Sequence, residues 1–333
     1  MFIPRLITTS QLLFLFFVNI SLVSAEPRLG TWTQGAPAPT KRTEIAATAL
    51  DGKIYAIGGF SKPSISNILD FAISRDVEVY DPATDNWSVT TPLPEGRHHA
   101  GIATLDGFLY IIGGFAKSGL TIWHAVNTVY QYNPATQAWR ERAPMPTSRG
   151  ALGIASYQGR LYAIGGYDGE QNSGATEIYD PQTDSWSTGA PLLAPRDHLA
   201  VATVGSRIYA IGGRSNLKYR QNTSMVEAYD PTTNQWQTVA NLPTARSGIS
   251  AGTINEQIYV LGGESEEGTF DNNEKYYPDE DRWMTMTPMP TARHGLGVAV
   301  VNERLYAIGG GPTPGASFSR INEIFFIPQP QND

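Results

Sequence analysis

The chain has no cysteine among its 333 residues. That excludes disulfides, thiol nucleophiles and thiolate metal ligands. Stability must come from buried surface, which a chain of about 300 residues can supply. Cations are scarce as well: 24 Lys and Arg stand against 31 Asp and Glu, a net charge of −7, and no basic run occurs. Phosphate backbones and anionic membrane surfaces need clustered Lys and Arg, so nucleic acid is not an expected partner. Helical spacing of apolar residues is missing throughout. Beyond the first two dozen residues, so is any apolar run approaching the roughly 20 residues that a membrane helix needs.

What the N-terminus does contain is a short cationic start, Arg5, and an apolar run, Leu12–Val18, ending in Val23-Ser24-Ala25. This is the pattern of a secretory leader. We expect a leader over residues 1–25, cut after Ala25, and a single domain over 26–333 with no membrane span. Without Arg5 the remaining chain carries 23 basic and 31 acidic residues, a charge of −8. The expected location is secreted or periplasmic.

The rest of the chain is periodic. Trp32, Trp87, Trp139, Trp186, Trp236 and Trp283 lie 55, 52, 47, 50 and 47 residues apart. Arg42, Arg97, Arg149, Arg196, Arg246 and Arg293 repeat those intervals, as do six Gly-Gly pairs from Gly58-Gly59 to Gly309-Gly310. Every Trp precedes its Arg by 10 residues, and every Arg precedes its second Gly by 17. All length variation falls between the Gly pair and the next repeated aromatic. One unit reads as four strands: 152–157, a Gln158-Gly159 turn, 161–164 up to the Gly pair, 176–179, a Pro-containing turn, and 185–188. Near-continuous apolar strands imply sheets covered on both faces. Six four-stranded antiparallel sheets around an axis make an all-β, six-bladed propeller. The sixth unit lacks a Trp and the first Trp precedes any Arg, so the strand around Trp32 is predicted to close blade six.

The Gly pairs preceded by Tyr-Ala-Ile, with the spaced Tyr and Trp, resemble the kelch motif over residues 29–327. The resemblance implies a scaffold role for the repeated Gly, Tyr, Trp and Arg residues. It also implies that the first strand of each blade lines the central channel.

Strand alternation puts the Gly-pair loops and the blade-to-blade links on one face, the top. Two sets of residues are expected there. One follows each Gly pair and includes Arg214 and Glu264. The other follows each repeated Arg: Thr43, His98, Gly150, Asp197, Ser247 and His294 one residue on, then Glu44, His99, Ala151, His198, Gly248 and Gly295 two residues on. Four of the five histidines fall in this second set. His98, Asp197 and His294, from alternate blades, are expected to face the channel with rough three-fold symmetry. Long loops over 60–76 and 115–126, the latter holding Trp123, are expected to cap the channel or offer an apolar surface. Two functions stay open. A binding module would take a protein, peptide or glycan on the top face, as a monomer without cofactor or metal. A carbohydrate-active enzyme, such as a sialic-acid mutarotase, would use Glu44, Arg214, Glu264 and the histidines as acid–base groups. No catalytic residue can be assigned, and binding is the expected role.

Overall fold

The computed structural model describes residues 29–61 and 72–328. The leader expected over 1–25, and Ile65, Ile68, Leu69 and Phe71 of the first long loop, lie outside the described residues. The described residues form six four-stranded antiparallel sheets and two small ones. Blade one, for example, consists of Ala46–Leu50, Lys53–Ile57, Val77–Asp81 and Asn86–Val89 in that spatial order.

Burial explains the sequence of each strand. The second strand lies in the middle of its sheet with sheets on either side. In Arg160–Ile164 only Arg160 is exposed and the other four residues are buried. The fourth strand is outermost and mostly exposed, as in Asn86–Val89. Each first hairpin turns through two residues, and five of the six have both at positive φ, as at Asp51 (52°) and Gly52 (73°). That twist matches the twist of the flanking strands. The apolar core is distributed between sheets. Tyr55 and Ile57 of blade one pack with Leu109 and Ile111 of blade two.

Blades are stapled by the repeated aromatics. The Trp186 Nε1–H donates to the Ala143 carbonyl of the previous link at 2.9 Å. The Ala143 N–H donates to Asp184 at 3.0 Å, and the Tyr179 hydroxyl donates to the same Asp184 oxygen at 2.6 Å. The ring closes as predicted: Thr31–Gln34 pairs with Asn322–Phe326, placing Trp32 opposite Phe325. The Trp32 Nε1–H then reaches the Thr287 carbonyl at 2.9 Å.

The repeated arginines are buried. Arg196 donates to the Gly212 and Ala210 carbonyls and to the Glu227 carboxylate at 2.8 Å. Arg42 with Glu78, Arg149 with Glu177, Arg246 with Glu274 and Arg293 with Glu323 form the same pair. In each case the Glu stands two residues before the repeated Tyr or Phe of the third strand. Blade two differs. Tyr130 occupies the Glu position, and Arg97 bonds to Thr128 and to the half-exposed Glu95 instead. The glycine pair has its own reason. Gly58 and Gly59 have φ of 63° and 87°, and a Cβ on Gly58 would sit 2.5 Å from the Arg97 carbonyl of the next blade.

This arrangement makes a graded prediction. Glu227→Ala strands the Arg196 guanidinium in the interior and should cost about 3–5 kcal/mol. Glu95→Ala opens a partly exposed pair and should cost about 0–1 kcal/mol. Urea unfolding of the two variants checks this. Equal losses would mean that the buried pairs do not anchor the blades.

Candidate functional site

The site begins with backbone. The residue two after each repeated Arg has a left-handed conformation in every blade: φ is 53° at Glu44, 52° at His99, 53° at Ala151, 52° at His198, 65° at Gly248 and 58° at Gly295. Four of these are not glycine, a conformation uncommon for side-chain-bearing residues. The compensation is a circle of hydrogen bonds. His99 N–H donates to the Glu44 carbonyl, Ala151 to His99, His198 to Ala151, Gly248 to His198 and Gly295 to Gly248, at 2.9–3.2 Å. Ile45 N–H closes the circle on the Gly295 carbonyl at 3.4 Å. One residue from each blade thus rings the axis at the top of the channel. Below the ring, first-strand residues such as Ala46, Gly101, Gly153 and Ser250 line a cavity of about 170 Å³.

Side chains build a second circuit on this ring. The Glu44 carboxylate lies 3.1 Å from His99 Nε2 and 3.1 Å from His294 Nδ1. His294 Nδ1 also lies 3.3 Å from Glu264. Glu264 accepts from Arg214 Nη1 at 2.8 Å, and Arg214 Nη2 donates to His198 Nε2 at 2.9 Å. His198 Nδ1 donates to Asp197 at 2.6 Å. The His99 and His198 rings meet edge to face at 4.7 Å. The circuit therefore joins blades one, two, four, five and six. Arg214 also lies over the Tyr219 ring, 4.7 Å from its centre.

Charges follow from these contacts. Burial works against a charged Glu44, yet the hydrogen bond and charge of His294 hold its carboxyl well below the usual range. Burial pushes the His98 ring down to about 4, and it lowers His99 too despite Glu44. Burial also works against charge on His294. The hydrogen bond to Glu44, the charges of Glu44 and Glu264, and the Gly315 carbonyl outweigh it and raise that ring. Geometry agrees. His294 Nε2 faces the Thr313 and Gly315 carbonyls at 3.2 and 3.1 Å, while Nδ1 faces two carboxylates. All four partners are acceptors only, so both ring nitrogens carry a proton. His294 is an imidazolium.

The walls above the ring are aromatic. The second long loop is a hairpin, Phe115–Ser118 with Thr121–Ala125. It brings Trp123 to within 6.1 Å of the Phe60 ring and 5.2 Å of His99. Phe60 stacks on His98 at 3.9 Å. Phe60, Ile122, Trp123, Tyr219 and Phe318 enclose a cavity of about 150 Å³ whose floor is Glu44, His99, Arg214, Glu264 and His294. Trp123 is 39% exposed at its rim and Leu120 is fully exposed at the hairpin tip.

One sequence expectation is corrected. His98, Asp197 and His294 do not face the channel as a three-fold set. Each forms a β-bridge with the residue after its own Gly pair: His98 with Phe115, Asp197 with Arg214, His294 with Gly311. That pairing turns the His98 and Asp197 side chains behind the ring, whereas His294 joins the circuit from its side through Glu44 and Glu264. His98 Nε2 ends on the Ile122 carbonyl at 2.7 Å, and Asp197 supports His198. The left-handed turn at the following residue is what swings Glu44, His99 and His198 to the axis. Tyr219 and Phe318 lie in variable loops and had no periodic signal to reveal them.

Comparisons with known proteins agree with the fold. The kelch motif model matches residues 41–94, 96–146 and 245–290. The model of the KLHDC2/KLHL20/DRC7 Kelch-repeats domain matches residues 140–263. Kelch-like protein terF of Aspergillus terreus is 36% identical over 141 residues, 41% of this chain and 30% of that protein. Human Kelch-like protein 28 is 42% identical over 103 residues, 30% of this chain and 18% of that protein. The chain thus matches less than a third of the length of either relative. Among solved structures, one titled "Structure of YjhT" superposes with a TM-score of 0.71 at 17% identity, covering 86% of this chain and 96% of the other.

The imidazolium assignment can be tested by mutation. His294→Gln removes the cation between two buried carboxylates and should cost about 3–5 kcal/mol. His124→Gln, on the exposed side of the hairpin, should stay within about 0.5 kcal/mol of the parent. If denaturant unfolding gave the same small loss for both, His294 would not be the charged clamp of the ring.

Proposed function

Because the chain belongs to the kelch-repeat family, we propose that it is a binding module whose top face captures a protein or peptide by taking one apolar side chain into the cavity above the ring. The observation that carries this reading is the division of labour inside the cavity. Its charged floor groups spend most of their hydrogen-bonding capacity on one another, and its walls are largely aromatic and aliphatic. A cavity of about 150 Å³ with such walls accommodates a six-membered ring. A glycan would need many free donors and acceptors for its hydroxyls, and the circuit leaves few. For the same reason we place the carbohydrate-enzyme reading second. The scaffold acts in this proposal as a monomer. The leader signature ending at Ala25 supports a location outside the cytoplasm in this proposal, and a purified exported chain is expected to begin at Glu26.

A positional peptide library and a glycan array, probed in parallel, test the reading. Peptides with an aromatic or branched aliphatic residue at one position should be enriched. Trp123→Ala should weaken the best of them by about 2 kcal/mol, roughly thirtyfold, with little change in melting temperature because Trp123 lies outside the repeat. Glycan hits with no enriched peptide, or peptide binding indifferent to Trp123→Ala, would reject it.

A further inference from the structure

A proton count singles out one side of the circuit. Three contacts run in line: the Ile122 carbonyl to His98 Nε2 at 2.7 Å, His98 Nδ1 to His99 Nδ1 at 2.6 Å, and His99 Nε2 to Glu44 at 3.1 Å. The two ends are pure acceptors, and each neutral imidazole brings one N–H. Three contacts therefore share two protons. The carbonyl fixes the proton of His98 on Nε2, so the short contact between the rings takes its proton from His99 Nδ1. His99 Nε2 is left as a lone pair directed at a carboxylate. His198 is set the same way, since Asp197 takes its Nδ1–H and leaves Nε2 as a lone pair. Glu44, His99 and His198 each offer a donor atom within 4.8 Å of the other two. The neighbouring group of Glu44, Glu264 and His294 is equally compact, but it is complete: His294 has no lone pair left.

We propose that Glu44, His99 and His198, whose ligand atoms all lie within 4.8 Å of one another, bind one divalent transition-metal ion. Two imidazoles and one carboxylate suit Zn²⁺ or Co²⁺ better than Mg²⁺ or Ca²⁺, which prefer all-oxygen sites. Asp197 and His98 hold the outer nitrogens of the two rings, the arrangement that orients metal-bound imidazoles. Charge permits it as well. Glu44, Asp197 and Glu264 oppose only Arg214 and His294, one negative charge in excess. Arg214 must release His198 Nε2 to admit the ion, and it keeps its bond to Glu264 when it does. A fourth coordination position would open into the cavity above. The site stands independently of what that cavity captures.

The full chain, stripped with a chelator, should take up one Zn²⁺ in calorimetry, and Co²⁺ should give visible absorption bands of a four- or five-coordinate site. On adding Zn²⁺, the ring resonances of His99 and His198 should shift and those of His124 should not. Asp197→Asn should weaken uptake about 10–100-fold, and His99→Gln should weaken it more, each with an unchanged circular dichroism spectrum. No saturable uptake would overturn the site and leave His99 as an imidazolium. Uptake that leaves the His99 and His198 resonances of the parent chain unmoved, or that is insensitive to Asp197→Asn, would overturn it too.

Discussion

The structure depends on a charged pair where charge is costly: the arginine that opens each blade and the glutamate two residues before its third-strand aromatic. Burial pulls the Arg149, Arg196, Arg246 and Arg293 guanidinium groups below their ordinary values, and the partner glutamates oppose that shift. Such pairs add little net stability over apolar residues of similar size, but breaking one is expensive. Their value is geometric. The guanidinium groups of Arg42, Arg149, Arg196 and Arg246 span carbonyls of the second strand and its Gly pair as well as the third-strand carboxylate, as Arg246 does with Val260, Gly262 and Glu274. Such an arginine leaves the blade-to-blade link one permitted path. The next two residues of that link are the ones that bridge the Gly-pair loop and then turn left-handed onto the axis. The site is therefore placed by the scaffold arginine immediately before it.

Blade two breaks the rule, and it carries the features that distinguish the top face. Tyr130 replaces the glutamate, and Arg97 lies 5.7 Å from the centre of that ring. The same blade supplies His98, His99 and the hairpin that holds Trp123. A local departure from an otherwise consistent pattern marks a position where something other than folding has selected the residues.

Most of the architecture was legible. Spacing alone located six blades, the hairpin turns and closure through Trp32, because a propeller repeats one packing problem six times and its solutions recur in register. The partner glutamates share the same register but were not recognised from it. Glu78, Glu177, Glu227, Glu274 and Glu323 all stand two residues before the repeated aromatic, yet a glutamate in a strand reads as a solvent-facing residue until its arginine is known to be buried. The site was legible in membership and not in direction. Glu44, His99, His198, Arg214, Glu264 and His294 do meet, but which of two adjacent residues faces the axis depends on one backbone dihedral. At the ring position Glu, His and Ala take the left-handed form as well as Gly, without a shared sequence marker. The walls were least legible, since Tyr219 and Phe318 come from loops whose lengths obey no period.

The circuit on the ring also explains why histidines concentrate there. Adjacent blades present backbone carbonyls and carboxylates, all acceptors, to the same narrow mouth. Lysine or arginine at each position would crowd five or six charges onto a circle a few ångströms in radius. Histidine adjusts: it is an imidazolium where four acceptors surround it, at His294, and a neutral donor–acceptor where a donor such as Arg214 approaches, at His198. The balance closes on the side of His294 and fails by one proton on the side of His98 and His99. A ring in which every other polar group is paired concentrates its one unmet demand at a single place, between blades one, two and four, directly beneath the exposed Trp123.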